Sequence, residues 1–350
     1  MPIAIDATYS IGEELSGVGV YSNEILTGLA SAHPKTGFLY CYRPKQYIRS
    51  FRQRLFRNCK RFLLHDEFHT PRAELFHGLN QRMPINKKIK HRVCTFHDLF
   101  VLTSDYSTPE FRKLFAARAK NAAERSDVII TVSRFTADQV EEHFKIERSR
   151  IRVIHHGVRD AADRTMLPRE NLILHVGAIQ ERKNITRLVE AFETVPKDWK
   201  LVLAGSSSGF GAEQILKRIE SSPARDRIQI TGYLSVHALD RLFARSRIFA
   251  FPSLDEGFGM PVLEAMVRGV PVITSNRSAL PEVAGDAALQ INPEDTQSLA
   301  GAINRLIGDS ALSTELIAAG KERAAKFTWR SAVNKTWGIY RELVGPGLTP

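Results

Sequence analysis

Glu256 and Glu264 stand either side of a glycine-rich turn in "DEGFGMPVLEAM", residues 255–266. A carboxylate accepts several hydrogen bonds, so two of them on one loop suit pairs of sugar hydroxyls. Glu264 is placed to hold a ribose diol and Glu256 a hexose hydroxyl. Pro261 predicts the helix start, because its fixed φ suits the first helical position and its missing N–H is not needed there. Gly257 and Gly259 around Phe258 let the backbone turn sharply and approach a ligand. Amides left free at the helix start favour a phosphate. A helix dipole alone explains Glu264, but not the pair. The strand "IFAFPS" delivers the whole loop to the carboxyl edge of a sheet, where ligands bind in open α/β folds.

A second constellation is basic. In "HVGAIQERKNITRLVEAF", Arg182 and Lys183 follow a strand and precede a helix, with Asn184 as the predicted N-cap. Helix N-termini disfavour cations, so two of them there point to an anionic ligand. Fixed cations aimed at a developing negative charge stabilise it most in the transition state. No Asp-x-Asp motif is placed to hold a divalent metal.

These loops need sheets to hold them. Strands read at "MPIAIDATYS", "FLYCY", "ELFHGL", "RVCTFHD" and "DVIITVS", with helical patterns such as "PEFRKLFAARAKNAAERS" between some of them. After "IRVIHHGV" a polar stretch with Pro168 reads as a linker. A second alternation follows through "LILHVGA", "KLVLAG", "IQITGYL", "IFAFPS", "PVITS" and "AALQIN". Such alternation predicts α/β domains with parallel sheets. The reading is two Rossmann-like domains, residues 1–167 and 168–330, in a chain of 350 residues. The first strand lacks the GxGxxG fingerprint with an acid about twenty residues on, which disfavours a bound dinucleotide.

The stretch "EGFGMPVLEAMVRGVPVITSNRSALPEVAGDAAL" resembles the signature of the retaining, nucleotide-sugar-dependent glycosyltransferases of family four, group 1 type. The resemblance is strongest from Gly177 to Pro293. It implies the GT-B fold, with two Rossmann-like domains facing across a cleft and a last helix, 331–350, that returns to the first domain. It implies hexose transfer from a nucleotide diphosphate sugar to a hydroxyl with retention of configuration and no metal. Glu256 then contacts the donor sugar and Glu264 the ribose, while Arg182 and Lys183 meet the diphosphate. Gly177, Met260 and Val262 belong to the same donor site, and the segment Gly232 to Ser235, with Tyr233, lies near the base. Gly17 and Gly19, in "LSGVGVYSNEIL", become a backbone cradle in the loop after the first strand. His97, in "CTFHDLF", reaches the sugar near the reacting carbon, and His77 lines the same cleft. Ser133 reads equally as a helix cap or a cleft residue. The segment "SALPEVAGDAAL" resembles bacterial mannosyltransferases of polysaccharide assembly, which makes GDP-mannose the first donor and a glycan or lipid-diphosphate-linked hydroxyl the acceptor. An epimerase of related fold is the alternative enzyme.

The net charge of +11 is unevenly spread. Residues 1–167 hold 27 basic and 18 acidic side chains, against 22 and 20 in the remainder. Residues 43–62, "RPKQYIRSFRQRLFRNCKRF", carry eight Lys or Arg and no acid. Ile48, Phe51, Leu55, Phe56, Cys59, Phe62 and Leu63 recur there at helical spacing, which predicts an amphipathic helix with a cationic face. That face suits an anionic membrane surface. It suits nucleic acid less, since no recognition motif accompanies it. Three cysteines without metal-ligand spacing read as reduced thiols. With no basic leader at the start, the expected place is the cytoplasm, peripheral on the inner face of the membrane.

Overall fold

The computed structural model describes residues 2–12, 14–65, 68–85, 88–160 and 167–345. The chain divides into two compact units. One comprises residues 1–103, 108–157 and 328–350, and the other residues 104–107 and 158–327.

The first unit is built on seven strands: β1 (Ile3–Asp6), β2 (Phe38–Tyr42), β3 (Cys59–Leu63), β4 (Ala73–Gly78), β5 (Ile89–Phe96), β6 (Val128–Thr131) and β7 (Ile151–Val153). They lie in the order β3-β2-β1-β4-β5-β6-β7. Every neighbouring pair is parallel. The central strand "IAID" is buried at every position, as a parallel strand covered on both faces must be. Its side chains alternate between two cores. Ile3 and Ile5 join Tyr21, Ile25, Leu75 and Val93 on one face. Ala4 joins Phe76, Cys94, Phe96 and Ile129 on the other.

The second unit carries β8 (Glu170–Val176), β9 (Lys200–Ala204), β10 (Ile228–Gly232), β11 (Ser246–Phe251), β12 (Val272–Ser275) and β13 (Leu289–Ile291). Their order is β10-β9-β8-β11-β12-β13, again all parallel. The direction of winding reverses between β8 and β11. The loops leaving the carboxyl ends of those two strands therefore flank a crevice, the usual ligand position in such sheets. Both α/β units are Rossmann-like.

The chain leaves the first unit after Gly157, ten residues before the expected boundary, and returns at Thr328. Part of the expected linker, residues 161–166, lies outside the described residues. The final helix, Trp329–Val344, packs in the first unit. Trp337 stacks on His33 with ring centroids 3.7 Å apart, and Val333 and Tyr340 enter its core.

The amphipathic helix expected over 43–62 does not form. Pro44 starts a helix that ends at Ser50, turns follow, and Cys59–Leu63 becomes the edge strand β3. Cys59 and Phe62 fall in the cores on opposite faces of the sheet, a period-two pattern that a helical reading of short apolar runs mistakes.

Candidate active site

Arg182 and Lys183 lie in a single 3₁₀ turn, Glu181–Lys183, between β8 and the helix Ile185–Glu193. Glu256 lies in the loop after β11. The reversal of winding brings these two loops side by side. Lys183 Nζ lies 2.5 Å from Glu256 Oε1, and Arg182 Nη1 lies 2.8 Å from Glu256 Oε2. Arg182 Nη1 also donates to the Asp255 carbonyl at 2.7 Å, and the Leu254 amide donates back to the Arg182 carbonyl. Lys183 Nζ stands 4.6 Å above the centre of the Phe251 ring.

This triad is buried, with side-chain exposures of 12%, 9% and 9% for Arg182, Lys183 and Glu256. Burial alone raises the Glu256 carboxyl, but Arg182 and Lys183 together outweigh it and hold it at about 2. Glu256 is ionised, and the three side chains sum to one positive charge. Under them His175 Nδ1 donates to the Ala250 carbonyl, 3.0 Å away, and the ring stacks on Phe251. Burial first, then the Lys183 charge, lower its pKa to about 4, so it is neutral.

Backbone geometry fixes the floor. Gly177 follows β8, and its amide donates to the Ala204 carbonyl. Gly205 follows β9 at φ +152°, where a β-carbon would stand 2.1 Å from the Gly177 carbonyl oxygen. No side chain fits there, and the strand ends close together as a result. Asn184 takes the cap position with φ +58° but does not cap with its side chain. Its amide instead donates to the Pro252 and Pro293 carbonyls, tying the turn to the loop after β11.

The helix bearing Glu264 runs from Met260 to Val267, so Pro261 is its second residue rather than its first. Gly259 precedes it at φ +102°, a conformation that glycine adopts without steric cost. Fewer amides face outward than expected: Pro261 has none, and the Val262 amide donates to the Gly259 carbonyl. Val262 and Phe258 bury their side chains, Phe258 against Phe327. Glu264 is half-buried, and burial raises its carboxyl despite the opposing Arg268 charge. Arg268 donates to the Glu264 carbonyl at 2.9 Å and pairs with the buried Asp240 of the helix Val236–Arg245.

Gly232 ends β10 at φ +69° with open space about it, and Tyr233 beside it is exposed. Two strands separate β10 from β11.

In the first unit, Gly17 and Gly19 are not in the loop after β1. They form the first turn of the helix Gly17–Ala32, where the Ser16 hydroxyl accepts from the Gly19 amide. The serine cap extends the helix past the two glycines. His97 follows β5 and is buried, with Nε2 2.9 Å from the Leu79 carbonyl. That carbonyl can only accept, so Nε2 carries the proton. Burial lowers His97 to about 4. His77 does not line a cleft. It is fully buried, with Nδ1 2.6 Å from the Tyr340 hydroxyl and Nε2 2.8 Å from Thr95 Oγ1. Ser133 caps its helix through the Thr136 amide.

Three contributors escaped the sequence reading. Ser278 Oγ accepts from the Glu256 amide at 3.0 Å. His175 underlies the cations, and Asp240 pairs with the arginine behind Glu264. Ser278 has a local signal, lying within the quoted signature. The other two depend on contacts between distant segments.

Residues 18–161 match the family model for Glycosyltransferase Family 4, and residues 160–323 match that for Glycosyl transferases group 1. The chain belongs to the family 4, group 1 glycosyltransferases. Its relatives include O-antigen chain mannosyltransferase B of Escherichia coli, 28% identical over 290 residues that cover 77% of this chain and 74% of that protein. Serotype-specific mannosyltransferase WbdA of Escherichia coli is 32% identical over 264 residues, 69% of this chain but 32% of that protein, so the match spans about a third of it. Sucrose-phosphate synthase from Thermosynechococcus elongatus has the same fold, with a TM-score of 0.78 at 22% identity over 98% of this chain and 99% of that one. Anabaena Alr3699/HepE, solved in complex with UDP and glucose, gives a TM-score of 0.73 at 16% identity over 97% and 99%. The glycosyltransferase thus has two Rossmann-like units of the GT-B class, and it is a hexosyltransferase by family.

Proposed function

We propose that this glycosyltransferase moves a hexose, mannose in the first instance, from a nucleoside diphosphate sugar to a hydroxyl of a glycan or lipid-diphosphate-linked acceptor in bacterial polysaccharide assembly. The reading rests on the buried Arg182–Glu256–Lys183 triad at the crevice between β8 and β11. The donor diphosphate lies against Arg182 and Lys183, which take up the charge that develops as the glycosidic bond breaks. This role needs no divalent ion. Glu256 then turns from the cations to a hydroxyl of the donor sugar, and Glu264 holds the ribose diol. His97, neutral and fixed at Nε2, serves on the sugar from the first unit. The family resemblance implies retention by front-face attack, in which a donor phosphate oxygen takes the acceptor proton, and we adopt that course.

The mannose assignment draws on the mannosyltransferases among the relatives, together with the "SALPEVAGDAAL" segment. Thermal shift against a panel of nucleotide sugars tests it, since a ligand held by the native state raises the melting temperature. GDP-mannose is expected to give the largest rise. A larger rise with a UDP-hexose would replace the donor, and an epimerised nucleotide sugar formed without any acceptor would favour the epimerase.

A further inference from the structure

The basic stretch of the first unit folds into a short helix, turns and an edge strand rather than one long helix, and the outcome concentrates apolar side chains in water. Ile48 is 74% exposed, Phe51 62% and Phe68 82%, and Phe56 and Leu63 join them. All five belong to the helix Pro44–Ser50, the turns after it, the edge strand β3 and the short bridge that follows. Single exposed apolar residues are ordinary, but five large ones on one margin of a sheet are not.

Cations surround them. Lys45, Arg49, Arg52, Arg54, Arg57 and Lys60 are all exposed, and none forms an ion pair among the described residues. Elsewhere many exposed cations sit beside acids, as Arg148 does with Asp138 and Glu141, Arg245 with Glu170, and Arg277 with Glu294. Charge alone would suffice to protect an open sheet edge from aggregation. It leaves the exposed Ile48 and Phe51 unexplained.

We infer that this sheet margin docks on the surface of an anionic phospholipid bilayer, with the cations at the headgroups and the apolar side chains entering the acyl boundary. The composition selects that occupant. Nucleic acid would use rings and cations but has no place for the exposed Ile48 and Leu63. A second copy in a two-fold dimer would set like charges against each other. Among the described residues no helix is long and apolar enough to cross a membrane, so the contact lies on the surface. The inference does not rest on the donor chemistry.

Sedimentation of the full chain with vesicles tests it, using phosphatidylcholine alone and phosphatidylcholine mixed with phosphatidylglycerol. The protein is expected to bind the mixed vesicles and not the neutral ones. Combining R52Q, R54Q and R57Q should weaken that binding at least about tenfold. Combining I48S and F51S should weaken it about as much while keeping the salt dependence. In F51W, tryptophan emission should shift to the blue on mixed vesicles only, which reports insertion without removing an apolar group. Equal binding to both vesicle types, undiminished binding in both variants, or an unshifted F51W spectrum would overturn the proposal. So would retention on DNA or an acidic protein with no binding to vesicles.

Discussion

Lys183 Nζ lies 2.5 Å from Glu256 Oε1, each side chain about nine-tenths buried, and the arginine next in sequence holds the other carboxylate oxygen. The acid occupies the cations in the way a phosphate would. Removing it is therefore more than the loss of a contact. Glu256→Ala leaves two buried cations with one counter-charge missing, a change that costs about 3–5 kcal/mol in comparable buried pairs. Thermal melting is expected to show the loss, and a nucleoside diphosphate should restore more of it than it adds to the wild type. Equal ligand shifts in both proteins would separate Glu256 from the anion site.

Lys183→Ala should act on turnover. Deleting one preorganised donor to a developing charge slows comparable enzymes about 10²–10³-fold. The effect is expected in kcat, with donor KM changed far less, because the charge grows only as the bond breaks. Steady-state kinetics with saturating acceptor measures it. An unchanged kcat would remove Lys183 from the transition state.

Glu264→Gln should weaken the donor rather than slow chemistry. A hydrogen bond to a charged group is worth about 1.5–3 kcal/mol, so donor affinity should fall at least about tenfold. Calorimetric titration with donor and with the free hexose separates the sites: affinity for a ligand without ribose should not move. The Asp240–Arg268 pair orients this helix, and Asp240→Asn is expected to reproduce part of the same loss.

Acid should unfold the protein in two windows. Burial drives His77 to about 3 and His97 and His175 to about 4. Unfolded imidazoles titrate near about 6.5, so below that pH the unfolded chain binds protons that the folded chain refuses. Stability is then full above about pH 6.5 and falls toward about pH 4, by up to about 1.4 kcal/mol per pH unit for each histidine. The depressed Glu256 contributes above its ordinary range and is lost only as pH falls toward about 2. Denaturant unfolding at about pH 7 and about pH 5 checks the first window; equal stabilities would contradict it.

The sheets were legible because buried parallel strands read as short apolar runs, and "LILHVGA", "KLVLAG" and "IFAFPS" each gave a strand where expected. The grouping of Arg182, Lys183 and Glu256 was legible because each sits on a loop between clear elements. Strand β3 was lost because Ile48, Phe51, Leu55 and Phe62 fit a helical period by coincidence, and the sheet register that decides otherwise is not local. Gly17 and Gly19 were read as loop because glycine is a poor helix former, whereas Ser16 supplies a cap that starts the helix early. His77 belongs to a network with Thr95 and Tyr340, residues whose proximity only the fold creates.

The most direct measurement is a crystal structure of the enzyme with a nucleoside diphosphate and excess chelator. The account predicts phosphate oxygens within hydrogen-bond distance of Lys183 Nζ and the Arg182 guanidinium, with the Glu256 carboxylate released from Lys183. A diphosphate bound elsewhere, or one that leaves the Lys183–Glu256 pair intact, would contradict it.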